Sequence, residues 1–390
     1  MKNKERIISI PFILIFIINV LGGSASYMIN PILPSYLVSR GAPMAITGFI
    51  SSLMSLVALF GRPFSGAAGD RFNKKTLMII SYILSIICLY LYSIADTIGM
   101  VVFVRILNGI AFALSGTVSL AFGAEFIPLS RLGEGLSYLG IATIISTMIG
   151  PQFGDMVIAV LGLDYVFLVA AILYAICAIL TIVLPYKFIK SEKDQFKFKL
   201  EDFFAFDLLM YVFLIGMLSV GNGILLYYLK DYGTARSIAN ITLFYTVGSI
   251  ATMLTKPITG KLIDKKDISI ILYPSFVITA IFAFMFAKAN ALPLVLVAAI
   301  FKSVGYGTGT AAIQTEAVKR LGIKKAGVAS STCYIGMDIG NTLGPTVGAY
   351  VISQSGYGTL FSGYTIILLL CIPLYYFYHK KFEKTKTLKG

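Results

Sequence analysis

The sequence predicts an all-α membrane protein with twelve transmembrane helices, arranged as two pseudo-symmetric six-helix bundles. Three observations carry that reading. Apolar runs of membrane length recur along the chain, basic residues are parted between alternate gaps, and two separate motifs repeat at one fixed shift. Composition agrees: 57% of the 390 residues are hydrophobic and 13% are charged, about half the charged share of an ordinary soluble domain.

A crossing takes about 20 mostly apolar residues. Such runs fall at 7–29, 44–65, 76–95, 98–121, 135–160, 164–185, 207–229, 237–257, 269–288, 291–314, 326–351 and 359–378. The first imitates a signal peptide, with a basic start and small residues at Ser24, Ala25 and Ser26. It is long enough to span, and eleven further runs follow, so it reads as span one rather than a cleaved leader.

Orientation comes from the bases. With the amino terminus in the cytoplasm, the inner side receives Arg71, Lys74, Lys75, Arg131, the lysines of 187–199, Lys261, Lys265, Lys266, Lys319, Arg320, Lys324, Lys325 and the basic tail. The outer side receives Arg40, Lys230, Arg236 and Lys288. Both termini are therefore expected in the cytoplasm of a cell whose plasma membrane the chain crosses many times. The lysine- and isoleucine-rich composition hints at a Gram-positive bacterium. The net charge of +14 follows from topology and anionic lipid rather than nucleic acid, because the bases lie between apolar runs. The longest polar gap, 186–206, reads as a cytoplasmic linker, in part an amphipathic surface helix. It divides an N-terminal bundle, 1–185, from a C-terminal bundle, 207–390.

The stretch "GRPFSGAAGDRFNKK" at 61–75 closes span two with glycine, proline and charge. A thinner copy, "TKPITGKLIDKK", lies at 255–266. At a shift of 194 residues Arg62 meets Lys256, Pro63 meets Pro257, Gly66 meets Gly260, Asp70 meets Asp264 and Arg71 meets Lys265. The same shift brings Gly150, Pro151 and Gly154 onto Gly344, Pro345 and Gly348. Two motifs agreeing on one shift mark a duplicated six-span unit. Internal duplication is the mark of secondary transporters, whose substrate site lies between the repeats near mid-membrane.

Other chemistries find little to stand on. Cys88, Cys177, Cys333 and Cys371 lie in apolar runs without metal or redox spacing and read as small buried hydrophobes. His379 is the single histidine, which argues against a histidine metal cluster or a Ser–His–Asp triad. No Gly-rich loop ends in Lys-Ser/Thr, so this chain is not expected to draw on ATP. No cofactor, metal or enzymatic activity is expected. A channel fits less well than a transporter, because duplicated halves with motif loops imply rocking.

"GAAGDRFNKK" at 66–75 resembles the signature loop of the major facilitator superfamily, G-x-x-x-D-R-x-G-R/K-R/K. Asn73 stands where that family has glycine; asparagine tolerates positive φ, so the turn is expected to survive there. Arg105 in "VRILNGIAFA" resembles the family's span-four arginine motif. "GPQFGD" resembles the Gly-Pro motif in span five of its exporters and antiporters, with Asp155 where the last glycine usually stands. "RPFSGAAGDRF" is similar to bacterial drug- and sugar-efflux members. The resemblance implies that Asp70 braces the loop against span eleven while the cytoplasmic side is shut, and that Lys74 pairs with Glu125. Glu316 is the expected counterpart in the second half, facing Lys265 or Lys266. Such latches form in one state and break in the other. Solvated loop charge is the competing reading, and an acid near a helix amino terminus also serves as a cap.

Four ionisable residues lie within spans: Arg105, Asp155, Lys302 and Asp338. Charge at that depth faces a cavity or a partner and marks function. By depth, Arg105 is expected beside Asp155 and Lys302 beside Asp338, one acid–base pair per half. An acid whose proton affinity changes as its base moves away suits a proton carrier, and Asp155 and Asp338 are the candidates. Pairs that merely fix helix packing are the competing reading, and span one has no acid to assist. Gly336, Gly340, Gly344 and Gly348 form a smooth ridge for close helix approach. Pro151 and Pro345 bend their helices. Asn19, Tyr27 and Asn30, with Asn222, Tyr227 and Tyr228, are expected near the cavity.

The expected function is a plasma-membrane secondary transporter working by alternating access. The first reading is a proton-coupled exporter of small amphiphilic or drug-like molecules, functional as a monomer. The alternatives are an exporter of a specific metabolite, such as a sugar or metal-chelating small molecule, or a symporter.

Overall fold

Mostly apolar sequence with helix-starting side chains folds here into helices and, among the described residues, no strands. The computed structural model describes residues 9–128, 132–186, 205–265, 267–321 and 326–383. The helices are α1 (Ile10–Ile29), α2 (Leu33–Ser39), α3 (Met44–Arg71), α4 (Lys74–Ser93), α5 (Ile98–Ala124), α6 (Leu132–Leu161), α7 (Asp164–Val183), α8 (Leu209–Ala235), α9 (Leu243–Lys265), α10 (Ile268–Lys288), α11 (Leu292–Leu321) and α12 (Ala326–Tyr378). Ser9, Asn73, Thr97 and Asp267 cap α1, α4, α5 and α10, each accepting a bond from a backbone N–H of the first turn.

Among the described residues, ten segments are long and apolar enough to cross a membrane. One of them, Ser331–Lys381, has 51 residues. At 1.5 Å per residue it would be about 76 Å long, far beyond a hydrocarbon core of about 30 Å. It breaks at Gly356, whose φ of 76° leaves the helical region, and so supplies two spans. α9 is 23 residues long, with a shorter apolar part at Leu243–Thr255. Span one is also broken: a 3₁₀ turn, Asn30–Ile32, joins α1 to α2 where Pro31 and Pro34 interrupt the ladder. Large apolar side chains such as Ile179, Ile182 and Val183 point outward, as a surface bathed in lipid requires.

The chain forms two compact units, one of Met1–Pro43 and Phe49–Lys197, the other of Met44–Gly48 and Phe198–Gly390. In the first, α1 packs on α6 and α7, and α4 on α5 and α7. In the second, α8 packs on α12, α10 on α11 and α12, and α9 on α11. Glycine makes the closest approaches. A Cβ at Gly150 would lie 2.8 Å from the Ser24 carbonyl oxygen of α1. A Cβ at Gly336 would lie 2.5 Å from that of Val212 in α8, and those at Gly340 and Gly344 would strike the carbonyls of Gly216 and Val220. The glycine ridge is thus a helix-packing surface. Pro151 lies inside α6 and Pro345 inside α12.

Candidate functional site

The signature stretch is more helical than its glycines suggest. α3 runs to Arg71 and α4 starts at Lys74, leaving Phe72 and Asn73 as the connection. Asn73 does not take the positive φ expected of a glycine substitute. Its φ is −61°, and its side chain accepts from the Thr76 N–H as the α4 cap. The second copy repeats this device, since Asp267, 194 residues on, accepts from Ser269 N–H at 2.8 Å at the start of α10. Backbone and side-chain bonds from Ser269 offset the partial burial of Asp267 and hold its carboxyl below the usual range, helped by the nearby charges of His379 and Arg320. Gly66, Asp70, Gly260 and Asp264 lie on α3 and α9; the side chains of Asp70, Arg71, Asp264 and Lys265 are outside the described set, as is Lys266.

Lys74 Nζ donates to Glu125 Oε1 at 2.7 Å, the pairing the resemblance implies. Glu125 is the C-cap of α5, so the bond ties the start of α4 to the end of α5. Lys75 adds bonds to the carbonyls of Ile182 and Leu184, at the end of α7. In the second half Glu316 accepts from Arg320 Nε at 2.8 Å, one turn along its own helix; the lysines expected to face it, Lys265 and Lys266, lie outside the described side chains. An i,i+4 neighbour on the helix surface needs no help from another element.

Arg105 is 1% exposed. Its Nε and Nη2 both donate to the Ser51 carbonyl, at 2.9 and 2.6 Å. Nη2 reaches Asn30 Oδ1 at 3.4 Å and Nη1 reaches Asn108 Oδ1 at 3.5 Å. These bonds tie α5 to α3 and to the break in span one. Asp155 is half-buried on α6. Asn19 is engaged on both sides, donating to Ile15 O and accepting from Ser119 Oγ at 2.7 Å. Tyr27 is half-buried on α1. Asn30 is thus a buried bonding partner of Arg105 rather than a free cavity group.

In the second unit, Lys302 Nζ donates to Asn222 Oδ1 at 2.8 Å and stands 4.8 Å from the Tyr306 ring centroid. Asn222 Nδ2 donates on to Asn341 Oδ1 at 3.2 Å. A polar chain therefore crosses from α11 through α8 to α12. The partners of Lys302 are a neutral amide and a ring, where depth alone paired it with Asp338. Asp338 is buried, 4% exposed, on α12. Tyr227 and Tyr228 are buried in the unit's core, Tyr227 with no exposed surface left to line a cavity. No group of three or more His, Cys, Asp or Glu suited to a metal occurs among the described residues.

One arrangement was not anticipated from the sequence. Tyr36 Oη donates to the Tyr92 carbonyl at 2.6 Å, and the Arg40 guanidinium lies 5.2 Å from the Tyr36 ring centroid. Tyr232 and Arg236 repeat this, with Tyr232 Oη donating to Phe286 O at 2.7 Å and Arg236 5.2 Å from its ring.

The comparisons with known proteins fit this geometry. A family model described as Major Facilitator Superfamily matches residues 15–273 and 208–390. The multi-drug resistance efflux pump PmrA of Streptococcus pneumoniae is 25% identical over 365 residues, covering 88% of this chain and 89% of the pump. The multidrug resistance protein MdtG of Serratia proteamaculans is also 25% identical over 365 residues, covering 90% and 89%. The crystal structure of the nucleoside transporter NupG superposes with a TM-score of 0.74 at 15% identity, covering 96% of this chain and all of that one.

Proposed function

The chain belongs to the major facilitator superfamily, and from that premise we propose that it is a proton-coupled exporter of small amphiphilic molecules. It is a multi-pass membrane transporter rather than an enzyme. Efflux pumps among its relatives support the direction of transport. The basic gaps support termini in the cytoplasm of a plasma membrane.

The observation that carries proton coupling is nearly complete burial of charge in the spans of both units: Arg105 in the first and Asp338 in the second. Each costs several kcal/mol to keep in a membrane, on the order of 2.5–3.5 on insertion scales. Packing alone is served better by an apolar residue. Asp338 and Asp155 are the proposed proton carriers, and Arg105 the group that biases the first half. Proton uptake from outside and release inside then drives the exchange. The Lys74–Glu125 pair is the proposed cytoplasmic latch, formed in one state and parted in the other.

The test is accumulation of cationic, neutral and anionic fluorescent amphiphiles in inverted vesicles, with and without an acid interior. Gradient-dependent accumulation that a protonophore abolishes is expected. Accumulation indifferent to the gradient removes proton coupling. No accumulation of any probe removes amphiphile export and leaves the specific-metabolite exporter or symporter.

A further inference from the structure

We propose that the second unit holds a docking site for a carboxylate, built by Lys302, Asn222 and Asn341, so that the cargo is an amphiphilic anion. This deepens the export reading and rests on it for the word cargo. The three residues lie ten, thirteen and fifteen positions into α11, α8 and α12, counted from Leu292, Leu209 and Ala326. At 1.5 Å per residue that is about 15–22 Å from the helix starts, near the middle of a bilayer. All three are half-buried there, so a molecule within the membrane can reach them.

The hydrogen bonds run in one direction. Lys302 donates to Asn222, and Asn222 donates to Asn341. Each amide oxygen is engaged as an acceptor, while N–H groups remain. An ammonium has three donors and a primary amide has two. After these bonds, two remain on Lys302, one on Asn222 and two on Asn341. The unspent capacity is rich in donors and carries a positive charge.

Among the described residues that charge has no anion beside it; its partners there are the neutral Asn222 amide and the Tyr306 ring. Buried charge is normally paired, and the Asp338 carboxylate, one turn before Asn341, is not its partner. A carboxylate accepting from Lys302 and Asn341 would supply the missing charge and the missing acceptors together. Charge-assisted bonds of that kind are the strong ones. Phe301, Leu226 and Met337, next to these residues in sequence or one turn away, are partly buried hydrophobics suited to an apolar body.

The experiment is calorimetric titration of the full chain, purified in detergent, with 2-naphthoate and with its neutral analogue 2-naphthamide. Naphthoate is expected to bind at least tenfold more tightly. Lys302→Met should abolish that preference by weakening naphthoate far more than naphthamide, and Lys302→Arg should keep it. Asn341→Ala should weaken naphthoate several-fold, a second check should Lys302→Met fail to elute as a folded protein. Equal affinities in the natural chain, binding of neither probe, or a preference that survives Lys302→Met overturns the proposal. Titration needs no gradient, so failure here leaves proton-driven export standing, and failure of gradient-driven accumulation leaves this site standing.

Discussion

The hydroxyl of Tyr36 and that of Tyr232 do the same work 196 residues apart, each donating to carbonyls at the end of a neighbouring helix. Tyr36 serves Tyr92, and Tyr232 serves Phe286 and Ala289. In each copy an arginine four residues on lies against the tyrosine ring. The next residue has positive φ, Gly41 at 87° and Ser237 at 54°. The N–H after it closes a six-residue turn, from Ala42 to Leu37 O and from Ile238 to Gly233 O. A whole helix stop, with its clasp onto the neighbour, has been duplicated.

Tyr232→Phe should therefore destabilise the chain without abolishing its fold. It takes the side-chain donor from the Phe286 carbonyl, while Ala289 O keeps its bond from Arg236 Nη1, a loss of about 1–3 kcal/mol. Thermal unfolding in detergent should show a lower midpoint, and Tyr36→Phe a loss of similar size. An unchanged midpoint in both would mean that water replaces the hydroxyl freely.

The glycine ridge makes a graded prediction. A methyl at Gly340 meets the Gly216 carbonyl, whereas one at Gly348 finds its nearest neighbour, Ile224 Cγ1, at 3.5 Å. Gly340→Ala should push α12 off α8 and cost about 1–3 kcal/mol as overpacking. Gly348→Ala should be nearly neutral. Unfolding midpoints that rank the other way would refute close packing as the role of the ridge.

How much of this the sequence discloses depends on the kind of signal. The spans and the repeated motifs are legible because hydropathy and local pattern encode them directly, whereas the Lys74–Glu125 pair is reached only through the family resemblance. The Tyr36–Arg40 clasp is not legible, because its copy sits at a shift of 196 while the flanking motifs keep 194, so the fixed register passes over it. Asn73 misleads because asparagine suits both positive φ and a helix cap, and only the start of α4 decides between them. The break at Gly356 falls in the gap the sequence leaves between the runs 326–351 and 359–378, although nothing local says which residue there turns the chain. Lys302 shows the limit of depth arguments. Equal depth permits a pair with Asp338, but azimuth around α11 decides the partner, and it turns the ammonium to Asn222.

The Lys74–Glu125 bond invites a charge swap. An ion pair at the protein surface, with Lys74 14% and Glu125 36% exposed, contributes about 0.2–1 kcal/mol to stability, so Lys74→Glu should leave the chain folded. It should slow transport, because two acids now repel where a latch must close. Lys74→Glu with Glu125→Lys should recover much of the rate in vesicle transport assays. No difference between the single and double variants would leave the pair as solvated surface charge.

Arg105→Lys tests whether charge alone suffices in the first unit. The guanidinium sends two N–H groups to one carbonyl, that of Ser51. A lysine keeps the charge but lacks that planar fork. Gradient-driven export should fall at least tenfold while the protein still folds and inserts. Retained export would reduce the role of Arg105 to its charge.

The carriers themselves are tested by Asp155→Asn and Asp338→Asn. Asparagine keeps the size of the side chain and mimics its protonated form, so the bundle should stand. A carrier locked in that form cannot cycle a proton. Gradient-driven export should be lost, while exchange of labelled for unlabelled cargo across the membrane should persist, since exchange needs movement of the loaded protein but no net proton transfer. Full gradient-driven export by both variants would remove these acids as carriers. Loss of exchange together with export would make them parts of the moving framework.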